Sequence, residues 1–220
     1  MSSLYKYESL PRQPAASRAI DPFIVMDVMR EAHRREIAGE DIIHMEVGQP
    51  ATPAPRAARE RVVQAMSEQN LGYTLSLGLP ELRERIADYL SARYGVSIAA
   101  DRVVITAGSS AGFVLAFLAI LEHGDSFGLP APGYPCYRQI LKALGFRPHL
   151  IETSERGRWM PTTADIEALA ANGAAGLLLA SPNNPTGTMA RAPRLKELAD
   201  SCAGTVCGSF PMRSTTGWNT

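Results

Sequence analysis

The feature that most constrains the fold is a repeated order of strand, loop and helix through the second half of the chain. Short apolar segments are predicted as strands, and each is followed by turn-forming residues and then by a pattern of helical period. The predicted strands are 102–106, 126–129, 146–152 and 176–180. The predicted helices are one that follows the loop 108–110 and ends at 122, and three at 135–144, 163–172 and 193–202. Strands joined by crossover helices lie parallel in one sheet, so we predict an α/β fold with a mainly parallel sheet flanked by helices.

The N-terminal part of the chain has another pattern. Residues 1–20 are polar and include two prolines, which indicates an extended arm. A helix is predicted with Asp21 as its cap, Pro22 in its first turn and Gly39 at its end. Next come a predicted strand at 42–47, a turn at 48–50 and helices at about 56–69 and 81–94.

Charge and composition exclude several classes of protein. Lys plus Arg and Asp plus Glu both number 22, so the formal net charge is +0 and we expect no nucleic-acid partner. No apolar run approaches the roughly 20 residues that cross a bilayer, and the first residues lack the pattern of a secretory signal. We therefore expect a cytoplasmic protein with no membrane partner.

The three cysteines are not spaced with the histidines as metal ligands, so no metal site is predicted.

Three loops of the predicted α/β part carry residue types suited to binding. In TAGSSAGF, residues 106–113, amide groups and hydroxyls at the start of a helix suit a phosphate, although an ordinary turn with Ser109 as helix cap fits equally. In PAPGYPCY, residues 130–137, prolines hold two tyrosines where a ring could stack on a heterocycle or simply pack. SPNNPTG, residues 181–187, is dense in turn formers and by composition alone indicates a tight loop.

Taken in order, these loops resemble those of the fold-type I, pyridoxal-phosphate-dependent aminotransferases of class I and II. SPNNPTG is the most specific motif, and GQP at 48–50 and GYTLSLGLPELR at 72–83 join the two other loops in the family's order and spacing. The resemblance runs from about Asp21 to about Cys202. It departs at His123, where the family usually has proline. It implies pyridoxal 5′-phosphate as cofactor and transfer of an amino group between an amino acid and a 2-oxo acid.

The resemblance implies roles for four residues in holding the cofactor. Ser109 and Ser110, with their backbone amides, would bind the phosphate. Tyr134 would stack on the pyridine ring. Asn184 would donate a hydrogen bond to the phenolic oxygen of the cofactor.

Two further residues are implied outside these loops. The backbone of Gly48 would lie beside the substrate carboxylate. Tyr73 would reach the phosphate held by a neighbouring subunit, because members of the family form homodimers with shared sites. For these two residues a turn glycine and a buried aromatic are the alternatives.

The family's mechanism also needs a lysine that forms a Schiff base with the cofactor and an acid beside the pyridinium nitrogen. In the family both follow the SPNNPTG loop. The chain has Lys6, Lys142 and Lys196, and none of them lies at that position. We therefore expect no catalytic residue in this chain, which would be truncated before the lysine, and little or no transaminase activity.

Residues 207–220 show neither helical nor strand period, although a buried strand is expected there. With one choice among the synonymous codons, the nucleotides from Val206 read in another frame can encode Val-Arg-Phe-Ile-Ser-Asp-Glu-Ile-Tyr, which contains the family's acid and tyrosine motif. We interpret the tail as the result of a frameshift near Val206, and a natural short paralogue is the alternative. The sheet would then keep an open edge, and solubility would be poor.

The expected organisation has three parts. Residues 1–47 would form an arm, a helix and a strand of a small domain, 48–206 an incomplete cofactor-binding large domain, and 207–220 an aberrant tail. Two other functions stay open. One is a non-catalytic cofactor-binding partner of intact subunits, and the other is a fold-type I lyase, decarboxylase or cyclopropane-carboxylate synthase. A nucleotide-binding fold is disfavoured because its glycine fingerprint is missing.

Overall fold

The computed structural model describes residues 20–48, 51–205 and 209–212. The chain divides into two compact units. The first, here called the helical unit, is Pro22–Ala107, and the second, the sheet unit, is Gly108–Thr220 together with Met1–Asp21. This division falls between Ala107 and Gly108, whereas the boundary proposed at residue 47 stays a prediction.

The helical unit contains three α-helices, which are α1 (Ile24–Ile37), α2 (Arg56–Glu68) and α3 (Pro80–Tyr94). All three were expected from the sequence, but α1 begins after Phe23 as its N-cap rather than after Asp21. Proline in the first turn of α3 and left-handed Gly95 after its last residue mark both ends of that helix.

Two strands predicted in the helical unit are wrong. Residues 42–47 and 103–106 form no strand, and Ala100–Arg102 is a short 3-10 turn. A strand needs a neighbouring strand to bind its backbone groups, and the sheet formed by the described residues includes neither segment. The Ile105 amide donates instead to the Leu77 carbonyl, at 3.0 Å.

Gly78 explains why the GYTLSLGLPELR motif needs a glycine at its turn. Its φ is +99°, and a Cβ there would lie 2.4 Å from Cγ1 of Ile105. Arg83 then donates to the carbonyls of Val103 and Ala100, both at 2.8 Å, and so ties α3 to the segment before the sheet unit.

The sheet unit has the predicted α/β architecture. Its helices are α4 (Gly108–Ile120), α5 (Pro135–Ala143), α6 (Thr163–Ala171) and α7 (Ala192–Thr205), and its strands are β1 (Ser126–Ala131), β2 (Arg147–Glu152), β3 (Ala174–Ala180) and β4 (Ser209–Met212). The strand order is β2-β1-β3-β4, and all three pairs are parallel. This confirms the prediction of a parallel sheet flanked by helices.

The core of the sheet unit lies on both faces of the sheet. Leu177 packs in one cluster and Leu178 in the other, because successive side chains of a strand point to opposite faces. One cluster is aromatic and contains Phe113, Phe117, Phe127, Tyr137 and Phe146. The other is mainly aliphatic and contains Ile151, Ile166, Leu169, Leu177 and Leu198. Burial on both faces explains the uninterrupted apolar run of β3.

Four residues of the tail form a strand, and the description of 207–220 as an aberrant tail stays a prediction. Ser209–Met212 pairs in parallel with β3, with Leu177 opposite Ser209 and Ala180 opposite Met212. Backbone groups at the edge of β3 accept a neighbour whatever its side-chain period, so absence of a strand pattern did not exclude a strand. Residues 207–208 and 213–220, and with them most of the tail interpretation, lie outside the described residues.

Among the described residues, no helix has the length and apolar character required to cross a bilayer.

Candidate functional site

Two loops at the carboxyl ends of the neighbouring strands β1 and β3 form the candidate site. The β1 loop, residues 132–134, leads into α5, and the β3 loop, residues 181–187, leads towards α7. The amide nitrogen Nδ2 of Asn183 donates to the carbonyl of Pro132 at 3.3 Å, so the two loops are in direct contact. In open parallel sheets this edge is where ligands bind.

The β3 loop is closed by its own backbone. The Gly187 amide donates to the Asn183 carbonyl at 2.7 Å, and the Asn183 amide donates to the Thr188 carbonyl at 2.9 Å. Gly187 adopts φ +68°, which favours glycine at this position. Asn183 is buried, whereas Asn184 next to it is exposed at the tip of the loop.

Asn183 was missed by the sequence analysis, which assigned only Asn184. Its signal was present as the first of two consecutive asparagines in a loop that has two prolines. Since each asparagine offers two side-chain N–H donors, one of the two asparagines could bind the cofactor and the other could join the loop to its surroundings.

The β1 loop is held at its base by β2. The Ala131 carbonyl accepts hydrogen bonds from the Thr153 amide at 2.8 Å and from the Thr153 hydroxyl at 2.7 Å. The chain then passes so close to itself that a Cβ on Gly133 would lie 2.6 Å from the Pro130 carbonyl oxygen. This close approach requires glycine immediately before Tyr134.

Tyr134 is the N-cap of α5, and its ring packs against that of Tyr137. It lies edge-on to Tyr137 with ring centroids 5.4 Å apart, and Tyr137 lies 4.6 Å from Phe113 of α4. A hydrogen bond with Cys136, together with partial burial, raises the pKa of Tyr134 to about 12. The phenol is therefore neutral at physiological pH and can offer an uncharged ring to a ligand.

Ser109 and Ser110 lie in the first turn of α4 and are exposed. Gly108, the first residue of α4, has φ +81°, and Ser109 as helix cap stays a prediction. The first amides of a helix have no partner within it and carry the positive end of the helix dipole, so this turn offers donors to an anion. Two hydroxyls and these amides are donor groups of the kind that bind phosphate.

Two adjoining clefts border the loops of the sheet unit. The larger is open to solvent and is lined by residues that include Tyr134, Tyr137 and Arg138. The smaller is lined by residues that include Trp159 and Asn183. The described residues contain no group of three His, Cys, Asp or Glu side chains that could hold a metal ion.

Gly48 and Tyr73 belong to the helical unit, and the structure assigns neither of them to the clefts of the sheet unit. Both are exposed, and Tyr73 is therefore not the buried aromatic that was its alternative. A Cβ on Gly48 would meet nothing within 4 Å, so no contact with the described residues requires glycine there. The roles predicted for these two residues stay predictions.

The two lysines in the described part of the chain form ion pairs on helices. Lys142 of α5 pairs with Asp21 at 3.1 Å, and Lys196 of α7 pairs with Asp200 at 2.6 Å. The proximity of Lys142 lowers the pKa of the Asp21 carboxyl. Lys6 lies outside the described residues.

Comparison of the sequence with known proteins gives one consistent family. The model of the aminotransferase class I and II family matches residues 40–207. Valine–pyruvate aminotransferase of Mycobacterium tuberculosis is 41% identical over 86% of this chain and 48% of its own length. The aspartate aminotransferase of Pyrococcus horikoshii is 31% identical over 78% of this chain and 44% of its own length.

Solved structures agree with the sequence comparison. A crystal structure of an aminotransferase from Mycobacterium tuberculosis is similar with a TM-score of 0.82 at 39% identity, covering 88% of this chain and 50% of that one. The aspartate aminotransferase of Thermotoga maritima has a TM-score of 0.83 at 28% identity, covering 90% and 52%. The chain thus spans about half the length of the relatives it matches. On this evidence the chain belongs to the class I and II aminotransferases.

Proposed function

We propose that this chain provides the cofactor-binding part of a pyridoxal-phosphate-dependent aminotransferase, which transfers an amino group between an amino acid and a 2-oxo acid. The observation that carries the proposal is the hydrogen bond from Asn183 to Pro132, which joins the loops that bear Asn184 and Tyr134. Both residues are the ones that the family resemblance assigns to the cofactor ring.

Four residues of the sheet unit are proposed to hold the cofactor. Ser109 and Ser110 would bind its phosphate with hydroxyls and first-turn amides, which is supported by their exposure at the start of α4. Tyr134 would offer its neutral ring to the pyridine, and Asn184 would donate from the exposed tip of the β3 loop. When bound, the cofactor supplies the electron sink that makes bonds at the amino acid α-carbon reactive.

Two residues of the helical unit are proposed to complete the site. The backbone of Gly48 would lie beside the substrate carboxylate, and the open space around its Cα leaves room for a ligand. Tyr73 would reach the phosphate in the other subunit of a homodimer. Its complete exposure, and that of many apolar side chains of α1–α3, supports a partner surface on this unit.

For the 220-residue chain by itself we propose little or no transaminase activity. Lys142 and Lys196 are engaged in ion pairs, and neither lies at the family's lysine position. A reading-frame slip near Val206 remains the proposed origin of the tail, and the coding DNA tests it. The slip is refuted if the other frame lacks the Asp-Glu-Ile-Tyr strand and a later lysine. A cytoplasmic location is likewise retained as a prediction.

The cofactor proposal is tested by calorimetry with pyridoxamine 5′-phosphate, which has no aldehyde and so cannot react with surface lysines. We expect Tyr134→Phe to keep the wild-type affinity and Tyr134→Ala to weaken binding roughly fivefold, since a stacked ring contributes about 1 kcal/mol. Absence of binding to the wild-type chain would refute the proposal.

Activity is tested separately, with valine and pyruvate as the first pair because the relative at 41% identity bears that name. We expect no turnover above that of the cofactor alone in buffer. Turnover that survives dialysis, together with an absorbance band of a cofactor–lysine adduct, would show that the chain is active by itself.

A further inference from the structure

We infer that Asn183 is a positioning residue, which together with Thr186 locks the β1 and β3 loops into one unit before any ligand binds. The inference rests on the proposed function, because the loops so joined bear Tyr134 and Asn184. It concerns a residue that touches neither the cofactor nor the substrate in that proposal.

The geometry consists of one side-chain amide with two acceptors. Nδ2 of Asn183 donates to the Pro132 carbonyl at 3.3 Å and to the Thr186 hydroxyl oxygen at 3.0 Å. The same hydroxyl oxygen accepts from the Thr188 amide at 3.3 Å. Both N–H groups of Asn183 are thus directed, one within its own loop and the other across to the β1 loop.

The composition of the loops explains why a side chain must make this connection. The β1 loop has prolines before, within and after it, and the β3 loop has two, and proline has no backbone N–H. The loops therefore offer carbonyl acceptors to each other and few backbone donors. Asn183 supplies the missing donor.

The burial of Asn183 makes its hydrogen bond to Pro132 costly to break. Asn183 is 9% exposed and is the one polar residue in the buried set of the described chain. A hydrogen bond shielded from water is costly to leave unmade, so the amide and the Pro132 carbonyl hold each other in place. Asn184 follows directly in the chain, and its position is set by the bonds that its neighbour makes.

Separate loops would have to be ordered at the moment of ligand binding, and this ordering opposes affinity. Loops already joined avoid that cost. The lock therefore predicts that loss of the Thr186 acceptor or of the Asn183 donor weakens cofactor binding even though neither side chain contacts the cofactor.

Thr186→Val and Thr186→Ser are the matched pair that tests the lock, because valine keeps the shape of threonine and loses the acceptor, whereas serine keeps the hydroxyl. Asn183→Asp is the independent variant, since it keeps the shape and removes both donors. Two quantities are measured on the full chain. They are hydrogen exchange of the amides at 183, 187 and 188 without ligand, and the dissociation constant of pyridoxamine 5′-phosphate by calorimetry.

We expect Thr186→Val and Asn183→Asp to speed exchange and to raise the dissociation constant roughly fivefold to tenfold, as loss of one hydrogen bond does. Thr186→Ser should restore both values. Faster exchange with unchanged affinity overturns the positioning role, and unchanged exchange in both Thr186→Val and Asn183→Asp overturns the lock.

The proposed function and the inference fail separately in this experiment. If the wild-type chain binds no pyridoxamine 5′-phosphate, the proposed function fails, and the exchange data alone then decide whether the loops are locked. If Thr186→Val does not fold, Asn183→Asp and Thr186→Ser give the same comparison.

Discussion

The two units of the chain differ in how they bury apolar side chains. The sheet unit has two clusters of buried residues, one on each face of its sheet. In the helical unit Ala87 is the one hydrophobic residue with full burial among the described positions, and apolar side chains of all three helices are exposed. The sheet unit therefore contains its own core, whereas the helical unit presents surface that other protein could cover.

The largest effect is expected for a matched pair of isoleucines. Ile166 in the sheet unit is 0% exposed, and Ile37 in the helical unit is 75% exposed. Ile166→Ala should reduce the free energy of unfolding by about 2–5 kcal/mol because it leaves a cavity, whereas Ile37→Ala should change it by less than about 0.5 kcal/mol. Urea unfolding of both variants measures the difference, and equal losses would contradict the comparison.

A smaller effect is expected at the tightly packed turn that contains Gly78. Gly78→Ala combines an unfavourable φ of +99° with a Cβ 2.4 Å from Ile105, so we expect a loss of about 3 kcal/mol. Hydrogen exchange across α3 measures the loss. Gly72→Ala is the control, since its Cβ would meet the nearest atom at 3.9 Å. Similar exchange in both variants would show that this turn is not packed as described.

The next largest loss of stability is expected on removing the side-chain cap of helix α6. Thr162 accepts from the Asp165 amide at 3.2 Å, and the Asp165 carboxylate accepts from the Thr162 amide at 2.7 Å, which is a capping box for α6. The N-caps of α1–α3 make no such side-chain bond. Thr162→Ala should cost about 1 kcal/mol, and Thr162→Ser should cost little. Equal denaturation midpoints for wild type and Thr162→Ala would contradict this.

The smallest effect concerns pH and the helical unit. His44 binds Glu46 through Nδ1 at 2.6 Å and Glu36 through Nε2 at 2.8 Å, and these hydrogen bonds raise the pKa of His44 to about 8. A raised pKa in the folded state means that the stabilisation is complete below about pH 6.5 and is lost as pH rises through about 8. His44 and Glu36 are exposed, so the effect on stability should be small.

Titration of His44 by NMR tests this prediction, and Glu46→Gln should lower its pKa towards the ordinary value. A wild-type pKa of about 6.5 for His44 would contradict the arrangement and would show that the segment before Gly48 is not tied to α1.

Local patterns predicted most of the elements of the sheet unit. The strand predicted at 176–180 and the helix predicted at 163–172 agree with β3 and α6 to within two residues. In both elements the spacing of apolar residues reflects packing against the same sheet, so the spacing alone was enough to predict them. The loops that bear Tyr134 and Asn184 were found because turn residues and strand ends are both local features.

The errors concern elements that depend on distant residues. The segments at 42–47 and 103–106 have the composition of strands but pair with no neighbouring strand. Ser209–Met212 lacks the alternating period of a strand but pairs with β3. Asn183 is a similar case, since its partner Pro132 is 51 residues away. Composition does not show which carbonyl a buried amide will meet.

The sequence by itself determined the α/β class, the family and the loops, because these depend on short-range periodicity and on motifs of a few adjacent residues. Tertiary structure alone decided which segments pair as strands, which unit has a core, and how the β1 and β3 loops are joined. These features depend on contacts between residues far apart in the chain, and a hydrogen bond or a buried side chain exists only when both partners arrive at one place.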